Sequence, residues 1–535
     1  MISRQAMAPP DVPPFSELPQ FTLDRESLRL LPESFCRRLG VAVMGKVDAA
    51  NDTEPVTVAM LDPDDLSVRY RIADFLRRPV RPVRLNRYEI DSALEVGFGA
   101  GVHASVDVVL KAGTPLSHPP TPVELVNHVL AVAVTQNASD IHLESYTDDV
   151  DLRYRIDGIL HQTYTDISPD SLPEVVSRIK VMAGLDIAEK RRPQDGRLRA
   201  LYEGEAGRKF VDFRVSVVPS PAGEDVVIRL LDATVGLVPV EKLGMTPEVQ
   251  ATVLRLLGNP EGLVLVTGPT GSGKTTTLYA ALARLNDGRK KIITAEDPIE
   301  YVVPKVNQKQ VSPQMPHLTL LRALLRQDPN VMLVGEIRDL ETGSTALMAA
   351  STGHVVLGTL HTADAIGAVS RLRGLKLEDG DIAEALLAVL AQRLVRRICP
   401  ECSAPATPTA DQLSLLGPLL DGVQPRAGQG CEACRHTGFK GRVGLYELLV
   451  VDPELQLLIA TGAPGVQLRR HARARGFRTL VEDALAKVAD GVTTLHELTR
   501  VVPYRYILTA REERQGPGRE ERQPLRARKP RQPPG

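Results

Sequence analysis

The sequence predicts a multidomain α/β protein, and three observations carry that expectation. At 535 residues the chain exceeds what one hydrophobic core serves, so roughly three to five domains are expected. The short β-rich runs Gly262 to Thr267, Lys291 to Ala295, Val331 to Gly335 and Val355 to Leu360 alternate with helical stretches, the pattern of a mostly parallel sheet. Between the first run and the helical stretch after it lies Gly268-Pro269-Thr270-Gly271-Ser272-Gly273-Lys274-Thr275, which fits the phosphate-binding pattern GxxxxGK followed by Ser or Thr.

Along the chain, residues 1–20 are rich in proline and polar side chains and read as disordered. Residues 21–112 mix an apolar run at Val56 to Leu61 with a helix-like segment at Ile72 to Arg78, a small α/β module. Gly113, Pro115, Pro119, Pro120 and Pro122 make 113–122 a linker. In residues 123–235 the alternation at Asp151 to Ile156 and Phe210 to Val218 fits strands and Val175 to Met182 fits a helix, a second α/β module. Residues 236–397 hold the parallel-sheet pattern and form the nucleotide domain. A proline-rich insert framed by cysteines follows at 398–436, then helical patterns within 437–505, from Leu445 to about Leu498. From 506 to 535 the chain reads as a disordered tail, in which Arg511 to Gly535 carries eight basic and four acidic residues.

Composition excludes several roles. No apolar run approaches the ~18 residues that cross a bilayer, so a membrane role is expected only through a partner. Met1 to Gln20 is interrupted by prolines and has no apolar core of a secretory signal, which points to the cytoplasm. A net charge of −1, 4% aromatic residues and no tryptophan leave neither a basic field nor stacking platforms, so no nucleic-acid partner is expected.

The motifs carry the chemistry. Glycines in 268–273 let backbone N–H groups turn toward phosphate, Lys274 reaches the terminal phosphates, and the Thr275 hydroxyl can ligate Mg²⁺, with Thr276 beside it. The motif implies a bound nucleotide. Hydrolysis needs carboxylates near the attacking water and the metal, and Glu336 and Glu296 each end a strand-like run of the same sheet. Of five cysteines, Cys399/Cys402 and Cys431/Cys434 form two CxxC pairs separated by Ser403 to Gly430, the spacing of a structural Zn²⁺ site closed by four thiolates. Cys36 stands apart and reads as a buried or indifferent thiol.

Taken together, GPTGSGKTTTLY, ITAEDPIEY, LRALLRQDPNVMLVGEIRD and STGHVVLGTLHT resemble the Walker A, Asp, Walker B and His boxes of the type II secretion and type IV pilus assembly ATPases, in that family's order. The resemblance continues through SDIHLES, RYRIDGIL, QDGRL, AQRLVRRICPEC and GRVGLYELL, strongly over Pro122 to Val502 and loosely before it. It implies a RecA-like P-loop ATPase core preceded by a PAS-like domain and a small N-terminal domain, with a zinc-binding insert and a helical C-terminal region. It further implies a homohexameric, ATP-hydrolysing motor at the cytoplasmic face of the inner membrane, acting with a platform protein and a cytoplasmic or membrane adaptor.

Residue by residue, the resemblance makes Glu336 the water-activating carboxylate, places Glu296 near the metal and lets His361 sense the γ-phosphate. Arg214 and Arg229 match arginines contributed by the PAS-like domain, and Arg322 and Arg326 match a pair ahead of the Walker B strand. The chain departs from the usual pattern at Asn330 (Asp in the family), Ala363 (Asn) and Leu318 to Leu320, without loss of a catalytic group. Gly335 stands where other P-loop enzymes place an aspartate, a feature the family shares. Three rivals stand beside this reading: a pilus retraction motor, disfavoured by the cysteine quartet and the additional N-terminal module; a nucleotide-binding regulator that does not hydrolyse ATP; and a DNA-translocating motor. Whether the motor serves secretion or pilus assembly, and whether the N-terminal module binds a cyclic dinucleotide, stay open in the sequence.

Overall fold

The computed structural model describes residues 24–32, 35–36, 39–48, 54–85, 90, 93–94, 108–114, 116–204, 207–231, 238–312 and 314–515. The expectations for residues 1–20 and for the tail beyond 515 fall outside them. The chain forms two compact units, Met1–Thr234 and Val235–Gly535. No helix among the described residues is long and apolar enough to cross a membrane.

The first unit opens with a three-stranded sheet in which Val41–Val43 runs antiparallel to Val56–Met60, itself parallel to Val80–Arg84. The helix Leu66–Leu76 starts where the Asp65 side chain accepts the Val68 N–H, an N-cap that satisfies one of the helix's free donors. Cys36 is fully buried in this core with Leu28, Val58 and Ile72, as expected of an apolar thiol.

The second sheet of this unit has seven strands, in the order Val109–Lys111, Gln194–Gly204, Gly207–Ser220, Gly223–Leu231, Asp140–Ser145, Val150–Ile156 and Ile159–Thr163. The helices Pro122–Thr135 and Leu172–Ala183 pack their apolar sides on it. Two details differ from the sequence reading. Val109–Lys111, taken as the end of the first module, is an edge strand of this sheet, parallel to Gln194–Gly204; three residues before a glycine are too few to show a strand period. Pro122, taken as linker, is the first residue of a helix, because Thr121 and Glu124 form a reciprocal capping box and proline's fixed φ suits that position.

The second unit is built on a seven-stranded sheet in the order Asn307–Gln310, Ile292–Glu296, Val331–Val334, Val355–Leu360, Gly262–Thr267, Leu386–Ile398 and Phe439–Val450. All neighbours are parallel except the last pair, which is antiparallel. Gly262–Thr267 is buried along its whole length, as a central strand covered by helices on both faces must be. The mixed α/β architecture therefore agrees with the expected fold class.

Here the sequence reading needs a correction. Leu445 to Val450 belongs to a strand rather than to the helical region, which starts at Pro453. Gly444 to Glu447 and Leu449 are buried, and a short, mostly apolar run has no period that separates a buried strand from a buried helix.

The tail needs another correction. Residues 506–515 are helical, in Tyr504–Gln515, rather than the start of disorder. Ile507 and Ala510, one turn apart, are buried. Arg511 donates at 2.8 Å to the Ser414 carbonyl, in the last turn of the helix Ala410–Leu416, and Arg514 at 3.4 Å to that of Leu419, in the 3-10 turn Gly417–Leu420 that follows it in the cysteine-framed insert. Glu513 takes a hydrogen bond from Arg473 at 2.8 Å. Charge density in the sequence hides this docking. Arg511→Ala is expected to destabilise the second unit by about 1 to 2 kcal/mol, since it removes charge-assisted bonds to otherwise uncapped carbonyls. Calorimetric unfolding checks this, and an unchanged midpoint would mean that the helix is held by Ile507 and Ala510 alone.

Candidate active site

The phosphate-binding loop follows the central strand and runs into the helix Lys274–Leu285. Gly268, Gly271 and Gly273 have φ of 151°, 75° and 87°, a region that side chains disfavour. The loop lies close over the next strand: a Cβ on Gly268 would meet the Gln392 carbonyl at 2.4 Å, and one on Gly273 the Gln392 side-chain nitrogen at 2.8 Å. Gln392 is buried and accepts a 2.7 Å hydrogen bond from Thr277 on the loop's helix, so it fixes the floor of the loop. Ser272 is 3% exposed and its Oγ has no hydrogen-bond partner among the described residues. An orphaned hydroxyl among left-handed glycines at a helix N-terminus fits a bound phosphate group. Lys274 donates to the carbonyls of Gly268 and Pro269 at 2.9 and 3.1 Å. Burial lowers the pKa of its ammonium group, while the Glu336 carboxylate pulls the other way.

Glu336 and His361 come from neighbouring parallel strands, just past Val331–Val334 and Val355–Leu360. His361 Nε2 lies 3.5 Å from one Glu336 oxygen, and Arg338 Nε donates to the other at 2.7 Å. Gly335 beside them cannot carry a side chain, because its Cβ would sit 2.9 Å from the Ala295 carbonyl. The adjacent strand thus excludes the aspartate that other P-loop enzymes place here, and the carboxylate falls one residue later.

Glu296 is 4% exposed. It accepts hydrogen bonds from the Tyr279 hydroxyl, from Thr294 Oγ1 at 2.5 Å and from Gln308 Nε2 at 3.1 Å. Burial and the Glu296 charge push the Tyr279 hydroxyl pKa upward, so it stays a donor. With Thr275, Glu336 and Arg338, Glu296 lines a cleft of about 270 Å³.

Arg214 and Arg229 belong to the first unit, where they stand opposite each other on adjacent strands, and Arg229 donates to Asp140 at 2.9 Å. Arg322 and Arg326 sit together in the second unit, both exposed, with Arg326 bonded to the Arg322 carbonyl at 2.9 Å. Neither lines the cleft.

The four paired cysteines converge, their sulfurs all within 4.8 Å of one another. Cys399 to Cys431 is 3.9 Å, Cys402 to Cys434 is 3.8 Å and Cys431 to Cys434 is 3.7 Å. These separations are far too long for disulfides, whereas a tetrahedron with Zn–S bonds of about 2.3 Å has edges of about 3.8 Å. Burial pushes the Cys434 thiol up, but N–H donation from Cys431 at 3.2 Å and Gly438 at 3.3 Å outweighs it and favours the thiolate. The donor set fits a tetrahedral thiophilic cation.

Comparison with known proteins places this geometry. Residues 119–500 match the model of the family described as type II/IV secretion system protein. The chain belongs to that family. Residues 14–100 match the MshEN domain. Relatives of this secretion-family chain include the type II secretion system ATPase E of Vibrio cholerae serotype O1, 40% identical over 504 residues that span 89% of this chain and 97% of the relative. The type IV pilus assembly ATPase PilB of Thermus thermophilus is 39% identical over 485 residues, 88% of this chain but 54% of that longer protein. Among solved structures, the ATPase DotB of Legionella pneumophila shares the fold, with a TM-score of 0.54 at 22% identity, covering 75% of this chain and 99% of that one.

Several groups at the site have no role in the sequence reading. Arg338 follows Glu336 by two residues and shares its carboxylate with His361. His317 lines the cleft, its Nε2 has no partner among the described residues, and burial lowers its pKa. Tyr279 and Gln308 hold Glu296, and Gln392 holds the loop through Thr277, 115 residues away; Tyr279 and Gln392 stand inside the quoted motifs, but their contacts show only in the fold.

Proposed function

We propose that this chain is an ATP-hydrolysing motor that works as a homohexamer and powers type II protein secretion or type IV pilus assembly. The observation that carries this reading is Glu336, held between His361 and Arg338 in a cleft that Thr275 of the phosphate motif also lines. The loop N–H groups and Lys274 bind the phosphates, and Glu336 orients and activates the attacking water. His361 touches Glu336 and faces the γ-phosphate. Mg²⁺, bound through Thr275, would neutralise charge on the transferring phosphoryl group. Glu296, fixed by three protein donors, shapes the metal side of the cleft. Arg214, Arg229, Arg322 and Arg326 supply the cations that complete the site when subunits close around ATP. Zn²⁺ on Cys399, Cys402, Cys431 and Cys434 stiffens the insert, which contacts the inner-membrane platform protein.

Deletion of the gene in its host, restored with wild type or with Lys274→Ala, tests the reading. Wild type restores either surface pili or export of secreted proteins, and Lys274→Ala restores neither. Pili lost with export intact assigns pilus assembly, and the converse assigns secretion. Restoration of either by Lys274→Ala contradicts the motor reading.

A further inference from the structure

Glu447 lies on Phe439–Val450, the antiparallel strand at the sheet edge, opposite Ala391. It is 2% exposed, and its two carboxylate oxygens serve two different helices. Oε1 accepts the N–H of Ala365 at 2.8 Å and Oε2 that of Leu480 at 3.1 Å. Each is the first residue of its helix, Ala365–Gly374 and Leu480–Ala489, and so carries an N–H without an intrahelical acceptor, at the end where the helix dipole favours an anion.

What the two helices connect gives the carboxylate its significance. Ala365 ends the short loop that begins at His361. Thr362 in that loop shares a 2.7 Å hydrogen bond with Thr267 at the end of the central strand and donates to the Asp364 carbonyl at 2.9 Å. Asp364 caps the same helix and accepts from Arg469 on Gly465–Ala474 at 2.9 Å. Leu480–Ala489 belongs to the C-terminal helices, which pack with Tyr504–Gln515 and the cysteine-framed insert. Glu447 therefore joins the histidine loop of the nucleotide site to the C-terminal helical region through one buried group.

We propose that Glu447 is a positioning residue of the ATPase: by holding the His361 loop against the C-terminal helices it sets where His361 meets Glu336, and it couples movement of those helices to hydrolysis. The inference rests on the assignment of His361 to the γ-phosphate above. The ionised carboxylate accepts both N–H groups at full strength, whereas a protonated carboxyl keeps one good acceptor, its carbonyl oxygen, and holds the other helix more weakly. Burial and then the neighbouring Asp364 raise the Glu447 pKa to about 7, with the two N–H donors and Arg469 opposing. The other groups facing this cluster are Arg393 from the adjoining strand, Tyr506 from the last helix, and the Asp483–Lys487 pair beside Tyr446. Protonation of Glu447 therefore loosens its hold on one helix, and hydrolysis is expected to fall on the acid side of about pH 7.

The test uses purified full-length chain with Mg-ATP. Glu447→Gln is expected to bind a fluorescent ATP analogue within about twofold of wild type while kcat falls about tenfold or more. It should also lose the acid limb expected of wild type near pH 7. Wild-type kcat with the limb unchanged overturns the inference. Should the Gln variant not fold, Arg469→Gln decides: removal of that cation moves the acid limb to higher pH, and an unmoved limb overturns the inference. Wild type that hydrolyses ATP in a Lys274-dependent way, combined with either negative result, refutes only this role of Glu447. Wild type without hydrolysis refutes the ATPase reading itself.

Discussion

Glu336→Gln is expected to bind ATP with near wild-type affinity and to release phosphate about 10² to 10⁴ times more slowly, the range for loss of a positioned general base. The substitution keeps size and shape. It removes the charge that lies 3.5 Å from His361 Nε2 and takes the 2.7 Å hydrogen bond from Arg338. An amide can still accept from Arg338 through its oxygen, so the site stays assembled while its base is lost. On the proposed reading affinity is also spared, because the loop N–H groups and Lys274, not Glu336, would hold the phosphates. A fluorescent ATP analogue reads binding and a coupled phosphate sensor reads turnover. Turnover at the wild-type rate would remove Glu336 from the chemistry and leave His361 and Arg338 paired with a structural carboxylate.

Loss of one cysteine of the quartet has the largest expected structural effect. Cys399→Ser keeps the volume but replaces a soft thiolate with a poor zinc ligand. Structural sites of this kind contribute on the order of 10 kcal/mol to the folding of a small module, more than the short elements of this insert supply by themselves. Those elements are a two-stranded ribbon, Ser403–Pro405 with Arg426–Gly428, the seven-residue helix Ala410–Leu416 and the 3-10 turns Gly417–Leu420 and Glu432–Cys434. Wild type should carry about one zinc per chain, and Cys399→Ser close to none. Limited proteolysis should then cut the variant between Ser403 and Gly430 while the nucleotide sheet stays intact. Wild type purified without zinc, or a variant as protease-resistant as wild type, would contradict the assignment.

The sequence made the nucleotide sheet and its loop legible because that region obeys local rules. A buried apolar strand, glycines where the backbone must turn, and a lysine at a helix start all lie within a few residues of one another. The carboxylates at strand ends followed from the same logic. What stayed hidden depends on tertiary contact. Glu447 sits in an apolar run that shows no strand period, and its meaning arises only when two helix starts converge on it. Arg511 reads as one more charge in a basic tail, yet it serves carbonyls almost a hundred residues away, at Ser414 and Leu415. Glu296 shows how a correct position leaves a role open: a strand-end carboxylate was expected, but the fold surrounds it with Tyr279, Thr294 and Gln308. Gly335 is the converse, a residue whose identity puzzles in sequence and is explained by the Ala295 carbonyl 2.9 Å from where its Cβ would be.

The most direct test of the central claim is steady-state phosphate release by the purified full-length chain with Mg-ATP, wild type beside Lys274→Ala. The account predicts sustained turnover by wild type and none above background by Lys274→Ala. Absence of turnover by folded wild type, or equal turnover by both proteins, would contradict it.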